Sequence, residues 1–341
     1  MDVMIEEILA RLDVKDALRC KSVCKSWYNL ISSDYFVNAH LKRSYNYNRE
    51  HGYIRIRLHC KNNNVTKFRD CMMVGSCDGL VCISPGKGEL LLTNPSTREV
   101  SRKLPKLPML PYNDRRKVCW GFGYDSLKDD YKVVAGFNIS EHHMCFQVLS
   151  LKSNKWKFIG DGDYLTYNTN TYYSNSRGVS YHGALHWFMN DTEKKKTIIL
   201  SFDLSLEKFK EIQLRKDTEY VYDEIDRRGI FEERLCIFRN YYFLESYYYP
   251  IWVMKNCNCW QLRDYEGNKH DVAPRAYKLH CSLDNNWRLC DDDKGNVDLS
   301  WLSLYNITYP IFVNSLASPY PCGKPKKNTN NKSEESPKSG F

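Results

Sequence analysis

A β-strand unit that recurs four times is the feature that most constrains the fold of this chain. Each copy opens with a glycine beside a short apolar hairpin, turns over a few polar residues and closes on a strand with an aromatic or leucine anchor. The openings at Gly75, Gly121, Gly178 and Gly229 lie 46, 57 and 51 residues apart. Four-stranded propeller blades repeat about every 40 to 50 residues. The spacing therefore predicts a series of such units, with loop insertions making it irregular.

The turns inside these copies have matching chemistry. Pro95 in NPST has the fixed φ that begins a turn, and Asn94 before it can hydrogen-bond nearby backbone. Ser153 and Asn154 separate two strands in LKSNKW, and Gly183 in YHGALHW supplies the unusual φ of a tight hairpin. These residues predict closely connected antiparallel strands.

The β pattern continues on both sides of the four copies. The segment YIRIRLHC, before the first copy, alternates apolar and polar residues with period two, which indicates a strand. A weaker fifth copy is expected from Tyr277 to the strand near Ile311. The Asp- and Asn-rich run 261–299 is either a divergent blade or a long loop.

The first 45 residues follow a helical pattern instead. The apolar stripe of the first predicted helix is formed by Ile5, Ile8, Leu9 and Leu12. Asp13 and Val14 interrupt it, and Asp16 begins a second helix with apolar residues at Leu18, Val23, Trp27 and Leu30. Ser33 and Asp34 resemble the start of a third. Three short amphipathic helices cannot bury all their apolar faces against each other, so the next domain or another protein must cover part of them.

The order of residues in this segment resembles an F-box over 37 residues, from Ile5 to Leu41. The matching residues are Ile8, Leu9, Leu12, Val14, Lys15, Leu18, Arg19, Val23, Cys24, Lys25, Trp27, Leu30, Ile31, Phe36, His40 and Leu41. The resemblance implies docking onto a Skp-type adaptor of a cullin–RING ligase. The expected adaptor-binding residues are Ile5, Ile8, Leu9, Leu12, Val14, Leu18, Val23, Cys24 and Trp27. Helix packing is the favoured role for Trp27, whereas for Ile5 and Leu9 packing and adaptor contact are equally supported.

Two positions depart from the F-box pattern. The leading Leu-Pro is absent, and Asp13 stands where a proline usually follows Leu12. In the family both prolines lie near the adaptor contact. The expectation is therefore either weaker adaptor binding or a coding sequence that starts upstream of Met1.

The repeated units resemble the F-box-associated domain of the plant F-box/kelch-like family. The resembling motifs are GSCDGLVCI, NPSTREVSRKLP, GFGYDSLKDDYKVV, VLSLKSNKWK, GVSYHGALHW, ILSFDLSLEKF and IWVMK, in family order from Gly75 to Lys255. The resemblance implies an α+β multidomain fold: a three-helix F-box over 1–45, followed by an all-β, kelch-like β-propeller over 52–316. The polar, lysine-rich segment 323–341 is predicted to be a disordered tail.

Composition and motifs favour a binding protein rather than an enzyme. GxSxG, P-loop, GxGxxG, HExxH and paired-cysteine zinc patterns are absent, so no cofactor or metal is expected. The acidic residues of GYDSLKDDYK are interpreted as turn caps rather than a carboxylate pair, and His182 and His186 as ordinary polar residues. The net charge of +9 owes +3 to the tail, and no basic stripe predicts nucleic-acid binding.

The cysteines and the N-terminus indicate the compartment. The 14 cysteines are scattered through apolar strands, and the acidic, amphipathic N-terminus does not resemble a signal peptide. No apolar run is long enough to span a membrane. We therefore expect a reducing compartment, the cytosol or the nucleus or both.

The sequence leaves two functional hypotheses open. The first is a non-catalytic substrate receptor of a Skp–cullin–F-box ubiquitin ligase, which binds the adaptor through the F-box and an unidentified target protein through the β domain to promote its degradation. The second is a β-scaffold interaction protein whose degenerate F-box no longer docks on the ligase.

Overall fold

The computed structural model describes residues 3–51, 54–60, 72–86, 88–97, 99, 101–108, 118–140, 143–166, 177–191, 196–213, 226–231, 234–239, 248–256, 259–266, 276–281, 287–291 and 311–320. The predicted tail over 323–341 lies outside these residues. Helices come first along the chain, and strands follow. Their order confirms an N-terminal helical segment followed by a sheet-rich domain.

The helical head is formed by four helices within the described residues, so the prediction of three was wrong. They are α1 (Val3–Leu9), α2 (Val14–Cys20), α3 (Lys25–Ile31) and α4 (Asp34–His51). The second predicted helix is divided into α2 and α3, because Cys24 has an extended backbone (φ −159°, ψ 166°). Its thiol accepts a hydrogen bond from the backbone N–H of Trp27, which makes Cys24 the N-cap of α3. Helix α4 continues past the domain boundary predicted at residue 45, and the predicted domain limits stay predictions.

The start of α4 agrees with the sequence-based expectation. The Ser33 hydroxyl accepts a hydrogen bond from the backbone N–H of Phe36 at 3.2 Å and donates to the carbonyl of Leu30 at 2.7 Å. It therefore serves as the N-cap that its position predicts, and it ties the end of α3 to the beginning of α4.

The strand β1 (Ile54–Cys60) follows the head, and four sheets come after it in sequence order. The first sheet contains β2 (Met72–Cys77), β3 (Leu80–Gly86), β4 (Glu89–Thr93) and β5 (Arg102–Leu104). The second contains β6 (Cys119–Asp125), β7 (Asp130–Asn138), β8 (Met144–Ser150) and β9 (Lys155–Gly162). The third contains β10 (Tyr164–Thr166), β11 (Val179–Tyr181), β12 (Ala184–Asp191), β13 (Lys196–Asp203) and β14 (Lys208–Gln213). The fourth contains β15 (Asp226–Phe231), β16 (Arg234–Arg239), β17 (Tyr248–Asn256) and β18 (Cys259–Glu266).

The fifth sheet of the described chain joins strands from both ends of the β domain. It contains β19 (Ala276–Cys281), β20 (Trp287–Asp291) and β21 (Ile311–Phe312) in the order β20-β19-β1-β21. Strand β1 runs parallel to β19, with Ile56 opposite Tyr277, and antiparallel to β21. The predicted fifth copy is therefore a sheet that needs β1 from the N-terminal side.

Two of the four glycines that open the repeats, Gly75 and Gly121, lie where neighbouring sheets approach each other. Gly75 is in β2, and a Cβ there would be 2.9 Å from the Cβ of Phe122 in the second sheet. Gly121 is in β6, and a Cβ there would be 2.7 Å from both Leu185 and Trp187 in the third sheet. Any larger residue would push adjacent sheets apart, which explains the residue type at these positions.

The turns confirm the conformations expected from their residues. Asn94 accepts a hydrogen bond from the backbone N–H of Ser96 at 2.9 Å, the geometry of an Asx turn. Asn154 has φ +57° between β8 and β9. His182 and Gly183 have φ +46° and +71°, as a two-residue hairpin turn between β11 and β12 requires.

Two apolar clusters fill the space between consecutive sheets. One joins the first and second sheets and includes Val74, Leu92, Phe122 and Leu149. The other joins the second and third and includes Val148, Leu185, Trp187 and Phe202. The indole N–H of Trp187 donates to the carbonyl of Trp120 at 2.9 Å, so the deepest aromatic ring in this cluster is also fixed by a hydrogen bond.

Candidate functional site

The helical head, residues 3–51, packs around a small apolar core. Its buried side chains are Leu9, Val14, Ala17, Ile31 and Phe36, and Leu316 from the far end of the chain packs with them. Half-buried side chains at the border include Ile5, Leu12, Leu18, Trp27 and Leu30. The expectation that the following domain covers part of the head is confirmed by Leu316.

The nine predicted adaptor-binding residues divide into three groups by burial. Leu9 and Val14 are only 2% and 4% exposed and belong to the core. The half-buried group consists of Ile5, Leu12, Leu18 and Trp27. Ile8 and Val23 are 58% and 62% exposed, and Cys24 is exposed as well. A contact of the nine with an adaptor stays a prediction, but only the last three present most of the side chain to solvent.

Further exposed apolar residues lie on the head, and the sequence analysis did not single them out. Val3 is 73% exposed, Tyr28 55% and Tyr35 67%. A hydrogen bond to Glu6 raises the pKa of Tyr35 and joins the beginning of α4 to α1. The signal that would have identified these residues is an apolar side chain outside the stripe that fills the core.

Asp13 occupies the position at which the F-box pattern has proline, and it begins α2. Its backbone has φ −67° and ψ 165°, and its carboxylate accepts a hydrogen bond from the backbone N–H of Asp16 at 2.8 Å. A φ near −65° is the value that proline itself imposes. The aspartate therefore keeps the turn in the conformation a proline would give it and adds a helix cap.

His40 ties α4 to the turn between α1 and α2. Its Nε2 lies 2.9 Å from the carbonyl oxygen of Leu12, and the side chain is almost completely buried. The Nδ1 atom has no hydrogen-bond partner in the structure. Burial lowers the pKa of His40, and Arg43 adds to this, while the Leu12 hydrogen bond and Asp13 act against it. The imidazole is therefore neutral at pH 7, with Nε2 as the donor.

Asp78 joins the head to two sheets of the β domain. It lies in the turn between β2 and β3 with φ +52°, followed by Gly79 with φ +77°. Its carboxylate accepts hydrogen bonds from the hydroxyls of Tyr45 in α4 and Tyr131 in β7, each at 3.0 Å. Burial raises the pKa of both tyrosines, so each hydroxyl stays a donor. These two hydrogen bonds connect α4 to the first and second sheets, and so they help to fix the orientation of the head relative to the β domain.

A buried ion cluster joins the second and third sheets. The Nζ of Lys132 in β7 lies 2.9 Å from an Asp125 oxygen and 2.8 Å from a Glu207 oxygen, and its side chain is 2% exposed. Burial alone would raise the pKa of Glu207, but Lys132 and Lys157 outweigh it and lower that pKa to about 2. All three groups are thus charged, and Lys157, which lies 2.7 Å from Glu207, balances the second carboxylate. The cluster is a structural ion network in which both carboxylates are engaged by lysines.

The predicted capping role in GYDSLKDDYK is confirmed for Asp125. Its carboxylate accepts from the backbone N–H groups of Leu127 and Lys128 at 3.1 and 3.2 Å. The sequence did not reveal Glu207, the second carboxylate that accepts from Lys132, because Lys132 and Glu207 lie 75 residues apart in the chain. The described residues contain no group of three or more His, Cys, Asp or Glu that could hold a metal ion. Among the helices described, none is both long and apolar enough to cross a membrane.

Comparison with known proteins agrees with both halves of this structure. A model of the F-box domain matches residues 2–38, and a model described as the F-box associated beta propeller domain matches residues 32–263. The F-box protein CPR1 of Arabidopsis thaliana is 30% identical over 294 residues, which are 76% of this chain and 70% of that protein. The chain belongs to the plant F-box proteins that carry an F-box-associated domain. F-box proteins are generally non-catalytic substrate receptors of Skp–cullin–F-box ligases.

Other relatives of this F-box protein are similar in kind. An F-box/kelch-repeat protein of Arabidopsis thaliana is 31% identical over 235 residues, and the match covers 61% of this chain and 64% of that protein. A solved structure of the SapL1 lectin with alpha methyl fucoside has a TM-score of 0.36 and 8% identity, covering 58% of this chain and 64% of the lectin. At that score the likeness to the lectin carries no argument about function.

Proposed function

We propose that this F-box protein is the substrate-recognition subunit of a Skp–cullin–F-box ubiquitin ligase, with a Skp-type adaptor bound to its head and a target protein bound to its β domain. The observation that carries the proposal is a folded head with apolar side chains left in solvent. Val3, Ile8 and Val23 are each more than half exposed beside a filled core. Exposed apolar patches of this kind mark protein interaction sites.

The geometry of the head supports adaptor binding despite its departure from the F-box pattern. Asp13 has the backbone φ of a proline and caps α2, so the α1–α2 turn is retained. Leu9 and Val14 are buried in the core of the head, whereas Ile8 and Val23 are exposed and available for contact with an adaptor. These features favour the hypothesis of a head that binds the adaptor over that of a degenerate F-box that does not.

The β domain is proposed to be a closed propeller of five sheets. Consecutive sheets lie against each other: β2 lies against β6, β6 against β11 and β12, and β11 against β15. Strand β2 also lies against β21 of the fifth sheet. Pairing of β1 with β19 and β21 brings the two ends of the domain into one sheet, as ring closure requires.

The target is proposed to bind at the edge of the β domain that faces away from the head. The head meets the β2–β3 turn at Asp78. In antiparallel sheets successive turns alternate between the two edges, so the connections β3–β4 and β7–β8 lie on the other edge. At the second of these, Ile139 is 54% exposed, and His143 lies between the carboxylates of Asp161 and Asp163.

The proposed mechanism is proximity and involves no chemistry on this chain. The receptor would hold a target lysine close to the conjugating enzyme of the ligase, which raises the effective concentration of the reacting groups. The proposed compartment is the cytosol or nucleus. It is supported by seven cysteines that form no disulfide bond in the structure: Cys20, Cys24, Cys77, Cys82, Cys119, Cys145 and Cys236.

Charge on the exposed face of the head tests the proposal. We expect Ile8→Asp and Val23→Asp in the full chain to weaken binding of a purified Skp-type adaptor at least about tenfold, because an unpaired carboxylate would be buried in the interface. Leu127→Asp is the matched control, since Leu127 is 82% exposed in the β6–β7 turn. Affinity is measured by calorimetry after circular dichroism has established that each variant is folded.

Two results would count against it. Equal affinity of the Ile8→Asp and control variants would remove this face from the adaptor site. A wild-type chain that binds no adaptor would favour the alternative, a β scaffold with a degenerate head.

A further inference from the structure

The C-terminal strap, residues 313–320, lies between the head and the first sheet. Val313 and Ser315 are buried, and the Ser315 hydroxyl donates to the carbonyl of Asp78 at 2.6 Å. Asp78 is also the residue that accepts from Tyr45 of α4. The strap and the head therefore contact the same residue, Asp78, through its carbonyl and its carboxylate respectively.

The strap is anchored to the first sheet by side chains of the β4–β5 connection. The amide of Asn94, itself fully buried, donates to the carbonyls of Ser315 at 2.9 Å and Ala317 at 2.7 Å. Ser96 donates to Asn314 at 2.9 Å, and Ser318 donates to Glu99 at 2.8 Å. These bonds hold the strap in one register, which sets the position of Leu316.

Leu316 is the side chain that the strap delivers to the head. It is 6% exposed and packs in one cluster with Leu9, Val14, Ala17, Ile31 and Phe36. Helices α1, α2 and α3 have only seven residues each. Helices this short are unstable in isolation and depend on tertiary packing of their apolar faces. One core side chain from outside the head is thus a substantial part of what keeps α1 and α2 in place.

We propose that the strap completes the core of the F-box, so that the head binds its adaptor with full affinity only when the strap at the C-terminal end of the β domain is in place. The part of this proposal that concerns adaptor binding rests on the proposed function. The position of Leu316 couples the strap to the exposed face of the head. Leu9 and Val14 are buried in the same cluster as Leu316, and they lie in α1 and α2, of which α1 also carries the exposed Ile8. Losing Leu316 loosens that support and leaves the exposed face without a fixed shape.

The experiment is Leu316→Ala in the full chain, with Leu206→Ala as the matched control. Leu206 is 67% exposed in the turn between β13 and β14, so the control removes the same atoms from a solvated site. We expect Leu316→Ala to increase hydrogen exchange of the α1 and α2 amides at least about tenfold and to weaken adaptor binding by a similar factor. Leu316→Met, which conserves volume, should restore most of both.

Hydrogen exchange separates failure of this inference from failure of the proposed function, because it needs no adaptor. Unchanged exchange in α1 and α2 of Leu316→Ala would overturn the strap proposal whatever the chain binds. If instead the wild-type chain binds no adaptor but Leu316→Ala still loosens α1 and α2, the strap completes the head and the ligase function is wrong. Near-ultraviolet melting of the β domain, which contains buried Trp120 and Trp187, should not change. If the melt changes while the exchange of the α1 and α2 amides does not, Leu316 stabilises the β domain rather than the head, and the proposal is overturned.

Discussion

Lys132 is a charged residue whose side chain is almost completely buried in the β domain. Its ammonium lies between Asp125 of its own sheet and Glu207 of the next, and it also donates to the carbonyl of Leu204. A buried ion pair contributes little net stability when it is complete, but breaking it leaves an unpaired charge in a medium that solvates it poorly. The main effect of the cluster is therefore the free-energy cost of separating its members. Because Asp125 and Lys132 belong to the second sheet and Glu207 to the third, this cost holds the two sheets in one arrangement.

We predict that Lys132→Met lowers the free energy of unfolding by about 3 kcal/mol, because the fully buried Asp125 would lose its counter-charge, whereas Glu207 would keep Lys157. Lys152→Met is the control, since Lys152 is more than half exposed and pairs with Asp129 at 3.6 Å. Its effect should remain within about 0.5 kcal/mol. Urea unfolding of both variants measures the difference, and equal midpoints would show that the cluster is not structural.

A second prediction at this scale concerns pH. The folded pKa of His40 lies below its ordinary value of 6.5, so the unfolded chain takes up the proton first as pH falls. The head is therefore expected to keep the full contribution of neutral His40 above pH 6.5 and to lose stability as pH falls below it. Hydrogen exchange of α4 at pH 7.5 and 5.5, corrected for the intrinsic rate, measures this loss.

The matched variants for this test are His40→Gln and His182→Gln. The first keeps a donor for the carbonyl of Leu12 but cannot titrate, so it should reduce the pH dependence. The second removes an exposed histidine from a hairpin turn and should leave the dependence unchanged. A pH dependence that persists in His40→Gln would assign it to another group.

At the scale of elements, the local turns could be predicted from sequence and the contacts between them could not. Ser33, Asn94 and Gly183 have residue types with a strong conformational preference, and the structure has the expected geometry at each. Cys24 was missed because cysteine is a rare helix cap, and the second helix was therefore predicted one segment too long. Local preference does not show which distant strand or turn a residue meets.

The exposed part of the candidate site shows the same limit. The helical stripe correctly assigns Leu9 to an apolar face, but spacing alone does not distinguish a face covered by Leu316 from a face left for a partner. That distinction depends on a contact with a residue about 300 positions away. Burial in the folded chain is what divides the nine predicted residues into supporting and exposed groups.

Glycine at the first strand of a repeat allows the next sheet to approach, and this gives a prediction for the element. Gly121→Ala should lower the free energy of unfolding by about 1 to 3 kcal/mol, because its Cβ would lie 2.7 Å from the fully buried ring of Trp187. Gly183→Asn is the control, since a Cβ there meets nothing within 4 Å and asparagine tolerates its positive φ. A thermal melt compares the two, and equal melting temperatures would contradict close packing at Gly121.

On the scale of the whole molecule, the two ends of the described chain converge. Strand β1 enters the fifth sheet beside β19, and the strap that follows β21 continues to the first sheet and the head. The head and the β domain therefore share stabilising contacts, which a flexible linker between independent modules would not provide.

The pairing of β1 in the fifth sheet can be tested through its backbone hydrogen bonds. Ile56 lies opposite Tyr277 in β1, one of the two inner strands of that sheet. Ile56→Pro removes a backbone donor there and should cost about 3 kcal/mol, which corresponds to a fall in melting temperature of roughly 4 to 5 °C in a chain of this length. Ile56→Thr keeps both the N–H and the β-branched shape and should melt within about 1 to 2 °C of wild type. A proline variant as stable as the threonine variant would show that β1 does not pair in the fifth sheet.

The pairing of β1 with β19 also determines when, during translation, the fifth sheet can form. Ile56 and its partner Tyr277 are 221 residues apart, and ribosomes add about 5 to 20 residues per second. The first strand thus leaves the ribosome roughly 10 to 45 s before the strand it needs. Leu316 emerges later still, so the head is made before the β domain but its core is completed only after Leu316 has been translated. Under the function proposed above, a nascent chain would gain its full adaptor affinity only after the β strands that precede Leu316 have been made.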